Sequence, residues 1–184
     1  MRGAGIAEIG GPVVLLDLEE SPELSDDEVL IEVRAAGVGN WDEIVRTGGW
    51  DVGTRPPMAL GVEAAGVVLA TGAGVTGLSP GDGVLTHPVP LRHQGAWAER
   101  LVGSADAVAT KPETVPWEAA AAFPVPALTA EQALSEALSV HSGMTLLVHG
   151  AGGLTGGLIV QLAALRGIDV VATAGAASRD RVRR

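Results

Sequence analysis

A glycine run, Gly150-Ala-Gly-Gly-Leu-Thr-Gly156, stands between an apolar stretch of strand length, Thr145-Leu-Leu-Val-His149, and one of helix length, Leu158 to Leu165. A second strand-like run, Asp169-Val-Val-Ala-Thr173, follows, so the region reads as one βαβ unit. In that context the turn predicts a dinucleotide site, with Gly150, Ala151, Gly152, Gly153, Leu154, Thr155 and Gly156 as candidate cofactor-binding positions. Glycine lets main chain approach a pyrophosphate, and a helix N-terminus offers free N–H groups and about +0.5 charge to the phosphates. The spacing is G-x-x-G-x-x-G at 150, 153 and 156, because Thr155 stands where G-x-G-x-x-G would end. The other reading of these glycines is tight packing alone.

Enzymes that use NAD carry an acid near the end of the second strand, on the ribose 2′-hydroxyl. Here that strand ends Val171-Ala-Thr-Ala-Gly175, without an acid, and Ser178, Arg179 and Arg181 follow. A hydroxyl and guanidinium groups suit a 2′-phosphate, which favours NADPH over NADH. The other reading is a solvated, frayed terminus.

The chain before this unit has a different texture. Val13–Leu18, Val29–Arg34, Gly61–Leu69 and Ala96–Val102 read as short strands, with an acidic turn around Pro22 and a tight turn at Ser79–Gly83. Asn40–Thr47 reads as a short helix capped by Asn40, with Ile44 and Val45 inward and Gly48-Gly49 ending it. Trp117–Ala122 and Leu128–Leu138 are strong helix formers separated by Pro124 and Pro126. The expected organisation is an antiparallel, turn-rich β domain over 1–115 and an α/β domain over 116–184.

A formal net charge of −10 gives no electrostatic reason to bind nucleic acid or an anionic membrane. Acid is concentrated in residues 1–64, while residues 166–184 carry five Arg against Asp169 and Asp180 and form a small basic tail. The longest uncharged run, between Glu136 and Arg166, is broken by His141, His149, Gln161 and several glycines, so no membrane span is expected. The absence of cysteine removes disulfides, thiolate nucleophiles and Cys-built zinc sites, and makes the cytoplasm the default location.

Several further stretches keep one familiar order: Glu28-Val-Leu-Ile-Glu-Val-Arg-Ala-Ala-Gly-Val38, Leu60-Gly-Val-Glu-Ala-Ala-Gly-Val67, Gly74-Val-Thr-Gly-Leu-Ser-Pro-Gly-Asp82, Gly95-Ala-Trp-Ala-Glu99, Pro116-Trp-Glu-Ala-Ala-Ala-Ala122, Leu128-Thr-Ala130 and Val148-His-Gly-Ala-Gly-Gly153. With them the chain resembles the N-terminal part of a medium-chain dehydrogenase/reductase, in the zinc-free quinone oxidoreductase and enoyl reductase branch. The resemblance implies a GroES-like antiparallel β domain followed by the first βαβ unit of a Rossmann fold, α/β plus β, with the active site in the cleft between the domains. Zinc-dependent relatives carry Gly-His-Glu; Gly61-Val62-Glu63 stands here, so no metal is expected, and His87 and His93 flank the cleft or lie on the surface.

The resemblance also implies catalytic residues in Asn-x-x-Asp beside the nicotinamide. Asp42 and Arg46 match, whereas Gly39 takes the usual Asn place and Asn40 lies one position late. Asn40 then reaches the pocket or caps the helix, and Asp42 acts in catalysis or steadies the helix dipole. Thr129 matches a position near the nicotinamide, or bonds within its own helix. Trp41, Trp50 and His87 are candidate pocket walls, and the tryptophans are equally readable as core. No Tyr is present to protonate a substrate.

The expected function is NADPH-dependent reduction of quinones or α,β-unsaturated carbonyl compounds; the alternative is a non-redox pathway protein, cyclase-like or a binding subunit, on the same scaffold. Two parallel strands would leave Leu146–Val148 and Val170–Ala172 partly uncovered, so the expected chain is a fragment or one half of a split protein, with a second chain or another copy completing the sheet.

Overall fold

The computed structural model describes residues 1–19 and 23–183. Pro22 and Arg184 therefore lie outside the described residues. The chain divides into two compact units, Met1–Pro124 and Val125–Arg184.

The first unit runs β1 (Arg2–Ile6), β2 (Val14–Asp17), β3 (Glu28–Ala36), α1 (Asn40–Arg46), β4 (Met58–Ala59), β5 (Ala64–Thr71), β6 (Gly83–Thr86), β7 (Arg100–Ser104), β8 (Val108–Thr110) and α2 (Trp117–Ala121). Two antiparallel sheets result, ordered β2-β1-β4 and β7-β3-β5-β6-β8. β3 sits inside its sheet because its apolar residues alternate: Val29 and Ile31 are buried with Val68 and Val84, while Arg34 is exposed. Main-chain bonds stitch the two sheets together through residues 95–99. Ala4 N–H donates to Trp97 O at 2.7 Å, Trp97 N–H to Leu60 O at 2.7 Å, and Ala96 N–H to Gly61 O at 2.8 Å.

This seam explains two shifted strand starts. The expected strand at Gly61 begins at Ala64, because Gly61 takes φ +93° and turns the chain. The strand expected from Ala96 begins at Arg100, because the preceding N–H groups are committed across the seam. α1 needs two corrections as well. Its N-cap is Gly39, with Asn40 already helical, and Ile44 is 49% exposed whereas Val45 is buried. Gly48 and Gly49 do end it: Gly48 N–H donates to Val45 O and Gly49 N–H to Ile44 O, a Schellman ending with Gly48 at φ +81°.

The division falls at 124/125, later than the expected 115/116, because α2 belongs to the sheet before it. Ala120 and Ala121 are buried against Ala65, with Ala35 and Leu85 packed around them. Lys111 closes the approach to α2, its ammonium 4.6 Å from the centre of the Trp117 ring and donating to Val115 O.

The second unit takes in most of α3 (Pro124–Gln132), which passes into a π-helical turn at Ala133–Ala137, then β9 (Thr145–His149), α4 (Leu154–Leu165), β10 (Asp169–Thr173) and α5 (Arg179–Val182). α3 starts earlier than the expected Leu128, since both prolines fit a first turn, where no N–H is needed. β9 and β10 are parallel, pairing Leu147 with Val171 and His149 with Thr173. Val148, Ala163 and Ile168 are buried, whereas Leu147 is 66% and Val171 56% exposed. No helix among the described residues is long and apolar enough to cross a membrane.

All four tryptophans lie in the first unit, so their fluorescence reports its unfolding alone. Ile31→Ala leaves a cavity beside Val29 and Val84 and is expected to destabilise that unit by about 2–5 kcal/mol, read as an earlier urea midpoint. An unchanged midpoint would place Ile31 outside the core.

Candidate functional site

The glycine turn is built by hydrogen bonds at its entry and by missing side chains at its exit. Gly150 leaves β9 at φ +80°, and Ala151 N–H donates to Thr173 O at 2.9 Å. Gly153 N–H donates back to Gly150 O at 2.9 Å, and Gly153 then serves as N-cap of α4 without a side-chain cap. The helix therefore begins at Leu154, a turn earlier than the expected Leu158, and its first N–H groups have no internal acceptors. Gly156 permits the close approach: a Cβ there would lie 2.5 Å from Gly150 O.

A cavity of about 590 Å³ opens beside this turn, lined by Ala151, Gly152, Gly153, Leu154, Arg181 and Val182 together with one side of α4. The Arg181 guanidinium donates to Gly152 O, and Ser178 packs against Gly152 closely enough that a Cβ on that glycine would sit 2.6 Å from the serine's own. Of the positions expected to bind a cofactor, the structure thus gathers Ala151 to Leu154, Ser178 and Arg181. Gly150 and Gly156 shape the turn from beneath, and Thr155 stands half-buried in the first turn of α4. Arg179 is exposed in α5 and does not line the cavity. Thr129 is exposed, its hydroxyl donating to Val125 O at 2.7 Å, so it bonds within α3.

The first unit carries the other candidates around α1. Asp42 is buried, and its Oδ2 accepts the Gly39 N–H at 2.8 Å, the carboxylate half of a capping box. Burial pushes this carboxyl up from its ordinary range, against the pull of the Gly39 and Gly61 main-chain N–H groups. Asn40 is exposed and is not the cap. Arg46 is fully engaged: it donates to Gly10 O at 2.8 Å, to Gly11 O at 2.7 Å, and to both oxygens of Glu43. These bonds make it a clamp between α1 and the β1–β2 loop.

The Trp41 ring lies over Gly39, where a Cβ would come within 2.2 Å of it, and its buried Nε1 has no acceptor among the described residues. Trp50 and His87 are neighbours, ring centres 6.4 Å apart and tilted by 40°. His87 Nδ1 lies 2.6 Å from Val62 O; a carbonyl can only accept, so Nδ1 carries the proton and Nε2 is the remaining polar atom. His93 lies apart from this ring pair in its bonding, with Nε2 3.7 Å from the buried Glu28 carboxylate that Arg92 also reaches. Among the described residues no three His, Asp or Glu side chains gather as a metal-ligand set.

Residues 25–125 match the alcohol dehydrogenase GroES-like domain. The chain belongs to that family. Human quinone oxidoreductase is 33% identical over 177 residues, covering 95% of this chain and 53% of that protein. The mouse synaptic vesicle membrane protein VAT-1 homolog-like is 36% identical over 163 residues, covering 88% of this chain and 38% of the relative. Among solved structures, an alcohol dehydrogenase superfamily protein from Novosphingobium aromaticivorans superposes with a TM-score of 0.90 at 33% identity, over all of this chain and 56% of the other. A mycobacterial protein solved in complex with NADPH gives 0.82 at 30% identity, over the whole of this chain and 56% of its own. The expected membership of the medium-chain dehydrogenase/reductase superfamily holds, and the chain spans about half the length of the structures it matches.

Two participants were not legible from local motifs. Thr173 belongs to the second strand yet bonds the turn after the first, and only the parallel register His149 to Thr173 reveals it. Glu63 is buried beneath Gly37, where a Cβ would overlap its carboxylate, and an isolated Glu in an apolar run carries no sign of that fit.

Asp42 also yields a stability test. A carboxyl whose folded pKa is raised favours folding at low pH, and that contribution is lost as pH rises through the folded value. Asp42→Asn keeps an acceptor for Gly39 without the buried charge, so its melting temperature is expected to gain on that of the native chain as pH rises above about 4. A constant difference between pH 3.5 and 7 would contradict the raised pKa.

Proposed function

We propose that this chain holds NADPH for a zinc-independent reductase of quinones or α,β-unsaturated carbonyl compounds. The observation that carries the reading is the cavity at the glycine turn, where a side-chain-free turn, an uncapped helix start and Arg181 share one wall. The residues fit the cofactor. Gly152 and the first N–H groups of α4 would receive the pyrophosphate, with Gly153 leaving room for its approach, since anions are stabilised there by free donors and the helix dipole. Ser178 and Arg181 would meet the 2′-phosphate; Arg181 now donates to Gly152 O, an exposed bond that a phosphate, as the stronger acceptor, would displace. The family membership and the NADPH complex of a structural neighbour support the same assignment.

NADPH, when bound, supplies hydride to an electron-poor carbon of the substrate. The chain's own contribution is orientation and exclusion of water. Trp41 and Trp50 offer flat apolar surface for a conjugated substrate, and His87, anchored through Nδ1, keeps Nε2 for a substrate oxygen. Asn40 is exposed and free to bond a substrate, whereas Asp42 acts by shaping the start of α1. Leu147 and Val171, paired and exposed on one sheet, are the surface that a second chain or another copy would cover.

Calorimetric titration is expected to show saturable NADPH binding, with NADPH oxidised on addition of a quinone or enone. Arg181→Ala is expected to weaken NADPH about tenfold and to leave NADH unchanged. A folded chain with no saturable NADPH binding would overturn the reading, and binding without oxidation would favour a non-redox role.

A further inference from the structure

Thr173 makes three contacts that converge on the entry of the glycine turn. Its Oγ1 accepts the Gly150 N–H at 3.2 Å, its carbonyl accepts the Ala151 N–H at 2.9 Å, and Oγ1 stands 2.8 Å from Nδ1 of His149. Oγ1 accepts the Gly150 N–H and keeps a second lone pair and its own proton, so it bonds Nδ1 of His149 in either tautomer of the ring. The hydroxyl is therefore held by the ring and cannot rotate away from Gly150 without losing that bond.

Gly150 needs this restraint. At φ +80° it occupies a region open to glycine, and nothing lies within 4 Å of where a Cβ would be, so no neighbour restrains it on that side. The Gly150 carbonyl in turn accepts the Gly153 N–H, and Gly153 is the N-cap of α4. The orientation of the peptide at 150 is thus transmitted to the groups where the helix N–H donors begin.

We infer that Thr173, steadied by His149, is a positioning residue that preorganises the turn's main-chain donors for a dinucleotide pyrophosphate. This inference rests on the nucleotide reading of the turn proposed above. Thr173 does not itself contact the phosphates: two turn N–H groups are directed onto it, so that the next ones are presented in a fixed arrangement. Binding then requires less ordering of the loop, which is how preorganisation raises affinity. Because Thr173 and His149 are both solvent-exposed, the effect is one of modest hydrogen bonds in water.

The test compares Thr173→Val, which keeps the shape and loses the hydroxyl, with Thr173→Ser, which keeps the hydroxyl. The carbonyl bond to Ala151 survives in both. Thr173→Val is expected to raise the NADPH Kd by roughly threefold to tenfold and to speed exchange of the Gly150 amide proton in NMR spectra. Thr173→Ser is expected to restore both to within about twofold of the native chain, with NADPH KM following Kd and kcat retained. A native NADPH Kd in Thr173→Val overturns the inference, as does a loss that Thr173→Ser fails to rescue. Failure of the native chain to bind NADPH would remove the nucleotide reading and this role with it. Protected Gly150 exchange in that same chain would then show a turn pinned for packing alone.

Discussion

In both units, stretches of main chain lie closer together than any side chain would permit. A Cβ at Gly5 would stand 1.9 Å from Met58 O, and one at Gly156 would stand 2.5 Å from Gly150 O. The first approach lets β1 pair with β4 and so completes the smaller sheet; the second lets α4 start directly beneath the turn that ends β9. With a side chain at either position the neighbouring backbones must separate, and their hydrogen bonds are exchanged for bonds to water. The chain's glycines are therefore less a source of flexibility than a condition for contact.

Contact of this kind fixes where polar groups can go. In the second unit the N–H groups of Gly150 and Ala151 fall on Thr173, and the residues after them line the cavity beside Arg181. In the first unit the same economy is met by acids. Asp42 takes the Gly39 N–H at the start of α1, and Glu28 takes the Ser25 N–H at the start of β3 while Arg92 approaches from the other side. Glu28 is buried, yet these partners outweigh burial and hold its carboxyl below the usual range, the opposite outcome to Asp42. Glu28 has the Ser25 N–H and, with it, Arg92 and His93, whereas Asp42 is set deeper and is reached by main-chain N–H groups alone.

The sequence was most informative where one period dominates. The βαβ unit, the alternation along β3 and the glycine ending of α1 were legible because each depends on residues near one another in the chain. Boundaries at Gly61 and Ala96 were not, since both are set by a seam that joins residues some 35 positions apart. α2 reads as the start of a helical region and packs instead on the preceding sheet, through alanines whose small size shows no preference for either side. Of the candidate site, the glycine turn is a local pattern in the sequence, whereas the expected cap at Asn40 fails: Gly39 is the cap, and the carboxylate three residues beyond it satisfies the end of the helix from inside.

Arg46 illustrates how a single guanidinium can replace packing. Its fork spans two consecutive carbonyls of the β1–β2 loop and both oxygens of a carboxylate one turn back on its own helix. Four acceptors held by one planar group give that loop and α1 a common lever arm. The start of the hairpin and the end of the helix are thereby held to one another through polar bonds across some 35 positions of chain.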